Sequence, residues 1–151
     1  FIFAGFGVKK RWLESYVQSR ALTNVTSLGS YQRSEQETYL NTGDIAIISF
    51  VSGMAGISVP SRMYNHMAAG TPILAVADDW SELARVVEEE DIGWTVPPGD
   101  PGEVARAVVY AKNHPEECQA KGERAAKVAR TEYTFDNVMD QYESLLSSVG
   151  R

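Results

Sequence analysis

The chain has one cysteine, Cys118, among its 151 residues, so no disulfide can form within it and a reducing, cytoplasmic setting is expected. Its two histidines, His66 and His114, have no cysteine or carboxylate at metal-ligand spacing, which leaves no metal centre to read. Apolar runs stop well short of the ~20 residues a membrane-spanning helix requires. Basic residues are outnumbered too: 14 Lys and Arg stand against 20 Asp and Glu, a formal net charge of -6. Nucleic acids and anionic bilayers are met through a basic patch, and none is visible, so neither is an expected partner.

What the chain does have is alternation. Short apolar runs at 1–4, 25–28, 45–50, 73–76 and 94–96 read as strands, separated by helical patterns at 9–20, 34–40, 61–69, 81–89 and 101–113. Runs this continuously apolar are expected to be buried on both faces, as in a parallel sheet between helices. The class is α/β, a doubly wound, Rossmann-like parallel sheet. A chain of 151 residues with 44% hydrophobic residues suits one globular domain, 1–151.

Capping chemistry marks the helix starts. Ser34 with Glu37 reads as a capping box, Ser81 as a cap, and Asp100-Pro101-Gly102-Glu103 as a cap, a first-turn proline and an N3 acid. Asp78 and Asp79 read as acids favouring the helix that Ser81 opens. Residues 115–148 are helical in two pieces, the second opened by Thr134, with Phe135, Val138, Met139, Tyr142 and Leu145 as an apolar, core-facing stripe.

The richest stretch is 52–76. Ser52-Gly53-Met54-Ala55-Gly56-Ile57-Ser58 is a loop whose glycines let backbone approach a ligand, and it leads into a helix that Ser61 can cap and that Gly70 and Pro72 stop. Free helix amides at such a start attract anions. Arg62 in the first turn opposes the helix dipole, a placement that a phosphate would compensate. An ordinary packing helix has the same signature, and the pattern alone leaves both readings open.

The segment from Pro60-Ser61-Arg62 to Ala68-Ala69-Gly70-Thr71-Pro72-Ile73-Leu74-Ala75 resembles the donor motif of the group 1 (family 4) retaining nucleotide-sugar glycosyltransferases of the GT-B fold. Phe1-Ile2-Phe3-Ala4-Gly5-Phe6-Gly7, Asn24-Val25-Thr26-Ser27-Leu28-Gly29 and Gly93-Trp94-Thr95-Val96-Pro97-Pro98-Gly99-Asp100 resemble that family's second, third and last strands with their turns. The order and spacing of these pieces carry the likeness across nearly the whole chain. It implies a C-terminal, donor-binding domain of a two-domain enzyme, opening at Phe1 as a piece of something longer and lacking the domain's first, central strand. That loss leaves either a gap in the sheet or neighbours forced together. It also implies a missing N-terminal acceptor-binding domain and C-terminal helices that run toward it, so that part of the stripe from Phe135 to Leu145 would lack its partner here rather than join the core.

The likeness assigns a UDP- or GDP-linked sugar as donor, with no other cofactor and no metal. Gly5 and Gly7 would clear the first turn, the backbone of Tyr31, with Gln32, would read the base, and the loop with Gly53, Gly56 and Ser58 would face the sugar. Ser61 and Arg62 would hold the diphosphate, and Asn65 the ribose hydroxyls. Family members carry two glutamates seven residues apart, and here the matching positions are Ile57 and Asn65. Asn65 keeps a donor and an acceptor but not a carboxylate's charge. The catalytic residue is therefore not legible, and a non-catalytic binding module and a nucleotide-sugar epimerase or hydrolase of similar fold stay open beside transfer.

Overall fold

The alternation is realised in the computed structural model, which describes residues 1–149 and forms two compact units, Phe1–Gly43 and Asp44–Arg151. In the second, β3 (Ala46–Ser49), β4 (Ile73–Val76) and β5 (Gly93–Val96) form a parallel sheet in the order β3-β4-β5, connected through α3 (Ser61–Ala69) and α4 (Glu82–Glu89). Helices α5 (Pro101–Asn113), α6 (Pro115–Thr131) and α7 (Phe135–Val149) follow.

β4 shows why the fold is doubly wound. Strand side chains alternate between faces, so Ile73 and Ala75 join one core with Met63 and Met67 of α3, Leu83, Val86 and Val87 of α4, and Ala125 of α6. Leu74 and Val76 point the other way, into a smaller core with Val96, Val104 and Val108. All four β4 residues are buried.

Two glycines are dictated by close approach. A Cβ on Gly93 would lie 1.8 Å from the Ile73 carbonyl oxygen, and one on Gly122 would lie 2.2 Å from that of Gly70, where α6 crosses the end of α3. Lys121 of α6 is buried but paired, at 2.5 Å from Asp91 and 3.7 Å from Glu117. Its hydrogen bond, with burial opposing and Arg124 assisting, holds the Asp91 carboxyl below the usual range.

In the first unit β1 (Ile2–Ala4) and β2 (Thr26–Leu28) are parallel neighbours joined by α1 (Lys10–Ser19), followed by a 3-10 turn (Arg33–Glu35) and α2 (Gln36–Leu40). No residue of this unit is buried. Burial of every strand on both faces, expected from apolar runs, therefore holds for β4 alone: β1 is exposed throughout and β3 alternates, with Ile47 exposed. Both are outer strands of their sheets.

Three helix starts are capped by the residues the sequence marks. Ser81 accepts from the Ala84 amide at 3.1 Å, Asp100 from Gly102 and Glu103 at 2.8 and 3.1 Å, and Thr134 from Asn137 at 3.3 Å. The box assigned to Ser34 and Glu37 is instead Gln32 with Glu35, because the 3-10 turn begins the helical path two residues earlier. The apolar stripe of α7 is not core: Phe135, Met139, Tyr142 and Leu145 are exposed. Among the described residues no helix is long and apolar enough to cross a membrane.

Candidate functional site

Strands β3 and β4 end level, Ser49 opposite Val76, with the Phe50 amide donating to the Val76 carbonyl at 2.8 Å. The segments after them therefore leave from one carboxyl edge, the edge where open α/β sheets bind ligands. The first of these segments is the glycine loop. Gly53 and Gly56 have φ of 83° and 76°, a left-handed backbone that residues with side chains rarely adopt.

The second segment fixes the first. Asp78 accepts from the Gly53 amide at 2.8 Å and from the Ser52 hydroxyl at 3.3 Å. The sequence gives the cap of α4 to Ser81, as the structure shows, and sets Asp78 beside it as a favourable acid; the structure uses the Asp78 carboxylate to hold the loop. The signal was present, since Asp78 and Gly53 each follow neighbouring parallel strands, but pairing across 25 residues has no local pattern.

Beyond the loop, Ala55 and Pro60 are buried, Ser58 is half-buried and Ile57 is exposed. Pro60, extended at φ -80° and ψ 96°, is the N-cap of α3, and no side chain caps the helix. Ser61 is thus the first helical residue rather than the cap, because Pro60 already sets the turn out of the loop. The Met63 amide donates to the Pro60 carbonyl at 2.8 Å, so the Ser61 and Arg62 amides, which no side chain caps, are the ones a ligand could take.

Met63 and Met67 are fully buried, which turns the opposite side of α3 outward. Ser61, Arg62 and Asn65 are all exposed there, as expected. Arg62 enters no ion pair among the described residues, and no acid stands in the first turn of α3. A lone cation therefore faces the positive end of a helix dipole.

His66 sits one turn after Arg62, with its Nδ1 buried and without a hydrogen-bond partner. Burial, and then the Arg62 charge, hold its pKa below the ordinary 6.5, so the ring is neutral at pH 7. It packs and does not serve as a cation.

In the first unit, Gly5 has φ 131° and donates to Gly29 at 3.1 Å, tying the turns after β1 and β2 together. A Cβ on Gly5 or Gly7 would meet nothing within 4 Å, so the turn after β1 is open at both positions. Tyr31 stacks on Tyr39 with ring centroids 4.3 Å apart and is partly exposed. The Gln32 amide, a candidate for reading a base, is already spent on Glu35 at 2.8 Å.

Comparison with known proteins gives the class. Residues 3–144 match the family described as Glycosyl transferase-like, and the chain belongs to that family. It is similar to the probable glycosyltransferase WbjE of Pseudomonas aeruginosa, 33% identical over 108 residues, covering 72% of this chain and 27% of that protein. It is also similar to the putative colanic acid biosynthesis glycosyltransferase WcaL of Escherichia coli, 23% identical over 149 residues, covering 96% of this chain and 36% of the relative.

Solved structures agree on the fold. Sucrose-phosphate synthase from Thermosynechococcus elongatus superposes with a TM-score of 0.74 at 21% identity, covering 95% of this chain and 35% of that one. Anabaena Alr3699/HepE in complex with UDP-glucose gives 0.74 at 21%, covering 97% and 40%. The fold is that of the C-terminal domain of a group 1 GT-B glycosyltransferase, and the chain spans about a third of the proteins it matches.

Proposed function

We propose that residues 1–151 are the donor-binding part of a glycosyltransferase that moves a sugar, with retention, from a nucleotide-sugar to a glycan or lipid-linked acceptor. The observation that carries this reading is the loop held by Asp78 that delivers open helix amides and an unpaired Arg62 to one sheet edge. As the bond between sugar and diphosphate breaks, negative charge grows on the leaving oxygen. Donors fixed beforehand at that point stabilise it without a metal.

In this reading Ser61, Arg62 and the α3 amides hold the diphosphate. Asn65 takes a ribose hydroxyl, and the loop with Gly53, Gly56 and Ser58 borders the sugar through backbone groups. Tyr31 covers or reads the base by its backbone, and Gly5 and Gly7 keep their turn clear for the phosphates. The relative in complex with UDP-glucose supports uridine over guanosine as the base. The acceptor would bind a separate N-terminal domain, and the enzyme would work in the cytoplasm.

Ile57 favours a second reading. An exposed, apolar side chain stands where family members place a glutamate near the donor sugar, which suits a non-catalytic nucleotide-sugar-binding module. Titrating the labelled chain with UDP, GDP and their glucose conjugates while following backbone amides tests both. Saturable shifts at residues 53–65, with or without shifts at 5–7 and 31, support donor binding; shifts confined to other residues, or none, contradict it. Transfer by a complete protein carrying this domain separates enzyme from module.

A further inference from the structure

Four basic residues, Lys9, Lys10, Arg11 and Arg20, fall within or beside α1 against a single acid, Glu14, in a chain whose net charge is -6. The expectation that no basic patch exists is therefore corrected at this one place. Glu14 is already engaged, by Lys10 at 3.8 Å and by the Ser27 hydroxyl at 3.3 Å. Lys9 and Arg11 form no ion pair among the described residues.

The same helix carries an aromatic stack. Trp12 lies on Tyr16 with centroids 5.3 Å apart and planes 25° from parallel, and the Arg20 guanidinium stands 5.2 Å from the Tyr16 centroid. Trp12 is 61% exposed, which leaves it accessible to a ligand. Beside it is an open groove of about 330 Å³ lined by Val8, Lys9 and Trp12.

We propose that this surface holds an anionic carbohydrate, a sugar ring lying on Trp12 while a carboxylate or phosphate on the same glycan meets Lys9 and Arg11. An aromatic face offers a flat apolar area to the C–H side of a sugar, and nearby cations without an acid partner select an acidic one. Trp12 and Tyr16 stack on each other rather than standing apart to receive successive bases, which disfavours single-stranded nucleic acid. Leu13 and Val17 are turned inward and half-buried, so α1 has no continuous apolar face for a bilayer. The choice of carbohydrate rests on the sugar-transfer reading above.

The test uses the ¹⁵N-labelled chain, whose three indoles, of Trp12, Trp80 and Trp94, give separate signals; the one lost in Trp12→Phe is Trp12. An oligogalacturonate should shift it saturably, with affinity roughly tenfold weaker in a Lys9→Ala, Arg11→Ala double variant, as two screened charge contacts allow. Arg62→Ala should leave that affinity unchanged. A malto-oligosaccharide acting equally well removes the role of charge and overturns the proposal. So does a shift with phosphatidylglycerol vesicles alone, which Phe6 and Val8, exposed in the adjoining loop, make the competing outcome. No response to any of the three overturns it as well. UDP titrated separately distinguishes the two readings: oligosaccharide binding without UDP binding contradicts only the donor site, and the reverse contradicts only this surface.

Discussion

Strands β1 and β4 are written in nearly the same letters, Ile-Phe-Ala against Ile-Leu-Ala-Val, yet the first is exposed throughout and the second buried throughout. β4 has a strand on each side and helices on both faces; β1 has one neighbour, and its unit has no buried residue. An apolar strand records that a cover is required and not where the cover comes from. Stability of the chain on its own should therefore reside in Asp44–Arg151, while the first unit contributes surface.

The largest test of that contrast is truncation of a core side chain. Met67→Ala should cost about 2–5 kcal/mol in urea unfolding, whereas Phe3→Ala, half-exposed on β1, should cost under about 1 kcal/mol. Similar losses would mean that the first unit has a core after all. Glycines sharpen the comparison. Gly93→Ala drives a methyl into the Ile73 carbonyl and should cost about 3 kcal/mol or more, while Gly29→Ala meets open space and should stay within about 0.5 kcal/mol.

Loop order comes next in size. Asp78→Asn removes a charge from its bond to the Gly53 amide, and hydrogen exchange at that amide should accelerate about tenfold, or about 1.4 kcal/mol. Unchanged exchange would show that the loop is held by something else.

The smallest effect is on pH. His66 is held neutral below its ordinary 6.5, so the unfolded chain binds a proton more readily than the folded one. Stability supplied by the neutral ring is complete above 6.5 and falls as pH drops below it, toward the lower folded value. His66→Gln should flatten that part of the stability profile; an identical slope would remove His66 from the account.

Much of the fold could be read before the structure. Asp100, Ser81 and Thr134 cap as expected because each acts within three residues of itself, and Met63 and Met67 face the core because a helix period fixes them. Misreadings occurred where a neighbour decided the outcome. Ser61 yields the cap to Pro60, and Gln32 rather than Ser34 opens the next turn, since both depend on where the first helical turn starts. Asp78 was given to its own helix because its partner, Gly53, comes through strand register. The α7 stripe has correct periodicity, yet periodicity does not say whether a partner is in the same chain.

The central claim is that α3 and its loop bind the diphosphate of a nucleotide. UDP and uridine should be titrated against the wild-type chain and Arg62→Ala by calorimetry. The account predicts that the variant loses about 1.5–3 kcal/mol toward UDP and little toward uridine, because Arg62 meets phosphate and not base. Equal losses for both ligands, or undiminished UDP binding, would contradict it.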